Sequence, residues 1–265
     1  MKKTLFNLSL FTLLPWISGI AQQPAKSQKK SQEDQIWHYS MIDAMRRGIY
    51  EGTYTVKELK THGDFGLGTF NHLNGELIAL DGIIYRIPPS GKVEVAAENL
   101  KSPFTSLTFF NADDVKTLSF TGSFEELQDK VQSLLTTQNV PYAIKIEGTW
   151  AEITVGGADP VSPEDTTELA TLMKVRPQYK AKKIKGTMVG YFTPSLLSNV
   201  DLSPFHFHFI SDDRKFAGHL MSGNLVNAEI KIYLNEKSGY DIELLRENSR
   251  FRKLKFQDKE TSSVY

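Results

Sequence analysis

The sequence predicts an α/β fold class of the α+β type, with many strands and few, short helices. Three observations predict it. Phe205-His206-Phe207-His208-Phe209 alternates aromatic and imidazole side chains with the two-residue period of a strand. Residues 65–81 alternate around Gly66, Gly68 and Gly75, and Asn74-Gly75 is a tight-hairpin signal between two strands. Helix-start signals are confined to three short segments.

Residues 1–21 combine Lys2 and Lys3, an apolar run and the small-residue exit Gly19-Ile20-Ala21, the pattern of a secretory signal peptide cleaved after Ala21. The run is too short and too broken by Asn7, Ser9, Pro15 and Ser18 to span a bilayer. Residues 22–34 are rich in Gln, Lys and Ser, too polar to offset their ordering entropy, and read as a flexible tether. Residues 35–265 then suffice for one large domain or two packed halves, about 35–155 and 180–265.

Ser40-Met41-Ile42-Asp43 reads as a capping-box variant opening a short helix that stops at Gly48, and Thr55-Val56-Lys57-Glu58 repeats the device. Strands are expected at 83–87, 92–95 and 106–110, with Pro88-Pro89-Ser90-Gly91 as a turn. Ser123-Phe124-Glu125-Glu126 caps the clearest helix, running to about Leu135 with Phe124, Leu127, Val131 and Leu134 on one face. Lys145-Ile146-Glu147-Gly148-Thr149 resembles Lys183-Ile184-Lys185-Gly186-Thr187, which raises a duplicated half as one possibility and chance similarity as the other. Residues 156–178 form a connecting excursion with modest helical character over 166–175.

The histidine strand carries the chemistry. His206 and His208 share one strand face, the three Phe rings take the other, and a turn centred on Asp212-Asp213 brings His219 across from His206. Three converging imidazoles suit a divalent cation with an open coordination position, as in catalytic zinc sites; structural zinc sites are closed and usually cysteine-rich, and this chain has no Cys. Zinc is the expected ion, with other divalent metals open. Lys plus Arg equals Asp plus Glu at 31 each, which removes an overall electrostatic case for nucleic acid or an anionic membrane and points to small-molecule partners. Gly66-Leu67-Gly68 lacks the third glycine of a dinucleotide loop, and no nucleophile elbow is present.

The blocks Tyr39-Ser40-Met41-Ile42-Asp43-Ala44, Tyr50-Glu51-Gly52, Lys57-Glu58-Leu59-Lys60, Gly63-Asp64-Phe65-Gly66-Leu67-Gly68-Thr69, Asn74-Gly75-Glu76, Lys185-Gly186-Thr187, the run 205–213 and Gly218-His219 together resemble the α-acetolactate decarboxylase family, over about residues 39–244. The resemblance implies two β-rich halves, each a mixed sheet, with a metal site between them, often in a homodimer. It implies decarboxylation of 2-acetolactate to acetoin, with His206, His208 and His219 as metal ligands and Glu76 and Thr69 as active-site residues. A Lewis-acidic metal stabilises the enediolate left by carbon dioxide, and Glu76 is the candidate proton donor that fixes product handedness.

The chain departs from the family pattern at two places. The position of the family's active-site arginine is Gly156; Arg176 lies in a different block and does not inherit the role, while Lys174 and Lys180 are alternative cations. The C-terminal glutamate of the family has only Glu260 as a counterpart. Two further readings follow: a repurposed or impaired metal-binding member of the fold, and a cupin-like metalloenzyme in which Asp212 supplies the carboxylate.

Overall fold

The computed structural model describes residues 32–256. The expected leader at residues 1–21, residues 22–31 and Glu260 lie outside them. The expected tether stops short of residue 34, because Gln32–Asp34 form a 3-10 turn whose Glu33 carbonyl accepts a hydrogen bond from Lys237 Nζ at 2.6 Å.

Strand β1 (Gln35–Tyr39), the short helices α1 (Ile42–Arg46) and α2 (Val56–Leu59), and strands β2 (Phe65–Thr69), β3 (Glu76–Leu80), β4 (Ile83–Ile87), β5 (Glu94–Val95) and β6 (Phe104–Thr108) form the first part of the chain. There follow β7 (Asp114–Ser123), α3 (Phe124–Gln132), β8 (Tyr142–Gly156), α4 (Leu169–Leu172), β9 (Gln178–Phe192), β10 (Phe205–Ser211), β11 (Ala217–Glu236) and β12 (Gly239–Glu243). They make two sheets. The first has the order β12-β1-β6-β2-β3-β4-β5 and is mixed through its parallel β1/β12 pair. The second, β10-β9-β8-β11-β7, is antiparallel, and β10 also pairs with the start of β11. That extra pairing closes β8, β9, β10 and β11 into a ring. Among the described residues no helix is long and apolar enough to cross a membrane.

The division between sheets differs from the expected halves. Residues 114–156 join the second sheet and β12 returns to the first. The resembling segments at 145–149 and 183–187 are antiparallel neighbours in one sheet, with Gly148 opposite Gly186, so they do not mark corresponding places in two halves.

Capping explains two of the three expected helix starts. Thr55 and Ser123 each accept from the backbone N–H three residues on, and Glu58 and Glu126 reach back to complete the boxes. Ser40 does not cap: it sits at φ 74° with its hydroxyl buried and without a hydrogen-bond partner among the described residues, and Met41 precedes the helix with no side-chain bond. Asn74-Gly75 does not make a two-residue hairpin either. The β2–β3 link includes the 3-10 turn Asn71–Leu73 and closes through Phe70 N–H to Gly75 O at 3.0 Å.

The sheets pack face to face through Ile36, Phe65, Leu67 and Ile78 of the first against Val189, Tyr191 and Ile210 of the second. The outer face of the second sheet carries α3, with Phe124, Leu127 and Val131 against Trp150, Phe207 and Phe209. Helices α1 and α2 cover the first sheet through Ala44, Val56 and Leu59. Burial of these apolar faces stabilises the layers, at about 25 cal/mol per Å² removed from water. It also fixes which side of β10 faces the first sheet.

Candidate metal centre

Pleating sends Phe207 and Phe209 into the α3 core, so His206 and His208 project to the opposite face, toward the first sheet. The turn after β10 then decides which imidazole meets His219. His208 is paired with His219, and not His206 as the turn residues suggested. The loop is one residue later than expected: Ser211 N–H donates to Phe216 O at 2.8 Å, and Ser211 Oγ accepts from Lys215 and Phe216 N–H. Arg214 in this loop adopts φ 56°. On the returning strand Gly218 has φ 151°, and a Cβ there would lie 2.8 Å from Gly156 O.

The three rings nevertheless converge. Their centroids are 5.2, 5.2 and 5.3 Å apart, and one ligand nitrogen from each lies within 4.8 Å of the others. His206 and His208 are buried and His219 is half-buried. His208 Nδ1 donates to Leu77 O at 3.0 Å, because a carbonyl can only accept, and this leaves Nε2 as the free ligand atom. Burial, then the charges of His206 and His219, hold His208 well below the ordinary imidazole range. Burial, with His206 and Arg176 adding to it, brings His219 down to about 3. Neutral imidazoles with a directed lone pair are what a divalent cation needs. Two nitrogens on tetrahedral zinc stand about 3.4 Å apart, so shifts of under about 1 Å per ring bring this set to bonding positions. The donor set fits a divalent cation.

The facing wall comes from the β2–β3 hairpin. Thr69, the last residue of β2, pairs with Glu76, the first of β3. Glu76 Oε2 lies 3.5 Å from His208 Nε2. Burial pushes the Glu76 carboxyl up to about 8, against a lowering influence from Arg176. Thr69 Oγ1 donates to Gly75 O at 2.9 Å, so its hydroxyl proton is committed to the turn. Between the walls is a cavity of about 240 Å³, lined by the three histidines, Glu76, Thr69 and Arg176 and roofed by apolar residues including Ile42, Leu169 and Met173.

A sequence model described as alpha-acetolactate decarboxylase matches residues 36–258. The chain belongs to the α-acetolactate decarboxylase family. The Methanosarcina mazei alpha-acetolactate decarboxylase is 34% identical over 71% of this chain, a match spanning 65% of that relative's length. The Brevibacillus brevis enzyme is 30% identical over 85% of this chain and 81% of its own length. The crystal structure of the Bacillus subtilis strain 168 enzyme superposes with a TM-score of 0.80 at 28% identity, covering 85% of this chain and 94% of that one. Family membership places the protein among the carboxy-lyases, and the two-sheet fold is that of acetolactate decarboxylase rather than a cupin.

Within the α-acetolactate decarboxylase fold, five of the six expected site residues come together; the sixth, Glu260, lies outside the described residues. Arg176 is the residue that sequence reasoning passed over. It lines the cavity while Lys174 and Lys180 do not. Position 156 is closed to a side chain, since a Cβ there would lie 2.7 Å from Met221 Sδ and 2.8 Å from Pro177 O. The signal for Arg176 was its place just before β9, whose Gln178 pairs with Gly156. Among the described residues Arg176 makes no ion pair, and its Nη1 contacts Met173 Sδ at 3.8 Å. His62, stacked on Trp37 at 3.8 Å, and His72, in the 71–73 turn, stay outside the cavity.

Proposed function

We propose that this chain decarboxylates 2-acetolactate to acetoin with a divalent cation, zinc by preference, held by His206, His208 and His219. One observation carries the reading: three imidazoles able to share a cation open onto the same cavity as an acid and a guanidinium that makes no ion pair among the described residues. Curated relatives named alpha-acetolactate decarboxylase support the substrate and the reaction. When bound, the cation supplies Lewis acidity toward the negative charge that loss of carbon dioxide leaves on the substrate's oxygens.

The chain's own residues do the rest. Arg176 pairs with the substrate carboxylate and orients it for departure, replacing the cation that Gly156 cannot provide. Glu76 delivers the proton to the carbon that has lost carbon dioxide, and by standing on one wall only it delivers it to one face. The apolar roof of Ile42, Leu169 and Met173 excludes water and strengthens every charge interaction beneath it. Thr69 holds the turn that presents Glu76. The N-terminal leader makes this an exported enzyme in our reading. The test is acetoin production from 2-acetolactate by the purified, zinc-loaded chain, which the alternative of a repurposed metal-binding protein does not yield.

A further inference from the structure

Behind the ligand face, out of reach of the cavity, three polar side chains form a connected row that the reaction above does not use. Asp201 is fully buried, and its Oδ1 lies 3.4 Å from His206 Nδ1. Its Oδ2 accepts from Ser106 Oγ at 2.9 Å, and Ser106 Oγ lies 2.8 Å from His38 Nδ1. His38 Nε2 donates to Val200 O at 2.9 Å, so its Nδ1 accepts and the one Ser106 hydroxyl proton is shared between His38 Nδ1 and Asp201 Oδ2; the His38 ring is held edge-on by Phe104 and Tyr240. His38 and Ser106 are a registered pair on β1 and β6 of the first sheet, whereas His206 belongs to the second. The row therefore ties the two sheets together through one metal ligand.

We propose that Asp201, anchored by Ser106 and His38, is the positioning residue for His206. This rests on the three-histidine centre argued above. A carboxylate only accepts, so it keeps the proton on His206 Nδ1, aims Nε2 at the cation and makes that imidazole the stronger donor. His208 has a neutral carbonyl, Leu77 O, in the same place, so the two ligands differ in their support. Charge balance points the same way. No Lys or Arg among the described residues pairs with Asp201, and its basic neighbours are His206 at 3.4 Å and His38 at 3.9 Å. The other donors to this buried carboxylate, Leu202 N–H at 2.7 Å from Oδ1 and the Ser106 hydroxyl, are neutral, and a divalent cation on the far side of His206 supplies the missing charge.

The experiment is the zinc dissociation constant, measured by competition with a chromogenic chelator, alongside thermal melting of the metal-free and zinc-loaded chain. Asp201→Ala is expected to weaken zinc by about ten- to a hundredfold, the usual effect of losing such a partner. Asp201→Asn, which keeps an acceptor but loses the charge, falls between it and the native chain. Ser106→Ala removes only the anchoring hydrogen bond and weakens zinc several-fold. Asn235→Ala, a buried amide three strands from His206 across the second sheet and bonded to Asp113 instead of to this row, lowers the melting temperature without changing zinc affinity. A merely structural Asp201 behaves like Asn235, and zinc affinity within twofold of native in the Asp201 variants overturns the proposal. If those variants fail to fold, native affinity in Ser106→Ala overturns it instead. A native chain that binds no zinc removes the metal centre itself and this inference with it, whereas native zinc binding without acetoin production leaves the inference intact.

Discussion

His208 and His219 face each other directly across β10 and β11, with ring centroids 5.3 Å apart, while His206 reaches the same point from two residues earlier on β10. The cross-strand pair sets the site's width, and the ring formed by β8, β9, β10 and β11 holds it. Across the cavity the paired Thr69 and Glu76 present an acid from the first sheet. Glu76 and the three histidines thus sit on separate sheets, and the packing between the sheets fixes their distance.

Arg176→Gln is expected to lower kcat/KM for acetolactate by about ten- to a hundredfold, matching the roughly 1.5–3 kcal/mol of a hydrogen bond to a charged group. Zinc content is unchanged. Adding Gly156→Arg does not restore the rate and lowers the melting temperature, because Met221 and Pro177 occupy the space. Steady-state kinetics and melting curves check both, and a native rate for Arg176→Gln removes the guanidinium from the account.

Glu76→Gln leaves the cavity shape but removes the transferable proton. The rate of acetoin formation is expected to fall by about 10²–10⁴, the usual worth of a positioned acid. Chiral chromatography of the residual product shows loss of handedness. Native rate and handedness together would assign protonation elsewhere.

Much of this site was legible because strand alternation and a short hairpin are local. His206, His208 and Phe205 to Phe209 announce their faces from the two-residue period alone. The partner of His219 was one step beyond reach, since Ser211 Oγ and the left-handed Arg214 choose a later turn centre than the acidic pair suggests. Arg176 was harder still. Its approach to Glu76 depends on where residues 157–177 pack over the cavity, which no periodicity encodes. Sheet membership was hidden for the same reason: β12 leaves the second sheet to lie parallel to β1 at the far edge of the first.

The two kinds of helix start separate in stability. Ser123→Ala breaks a formed capping box and costs about 1 kcal/mol. Ser40→Ala removes a buried hydroxyl that caps nothing and has no partner among the described residues, so it costs nothing and stabilises by up to about 1 kcal/mol. Urea denaturation at matched pH distinguishes them, and equal losses would contradict the assignment of Met41 as the residue before α1.

Lys237 provides a pH dependence remote from the site. Its Nζ donates to Glu33 O and Phe109 O, and burial, opposed by Asp113 and Asp34, brings its pKa from 10.5 to about 8. The unfolded chain binds more protons here than the folded chain between those values. Native stability relative to Lys237→Met therefore rises with pH from about 8 to about 10.5, by on the order of 3 kcal/mol, and is level below. Denaturation curves across that range check the slope, and a pH-independent difference refutes it.

The most direct measurement is acetoin released from 2-acetolactate as metal-stripped protein is titrated with zinc. The account predicts no product without metal, full activity at one zinc per chain, and none at any zinc level for His208→Ala. Undiminished acetoin formation after complete metal removal, or in His208→Ala, would contradict it.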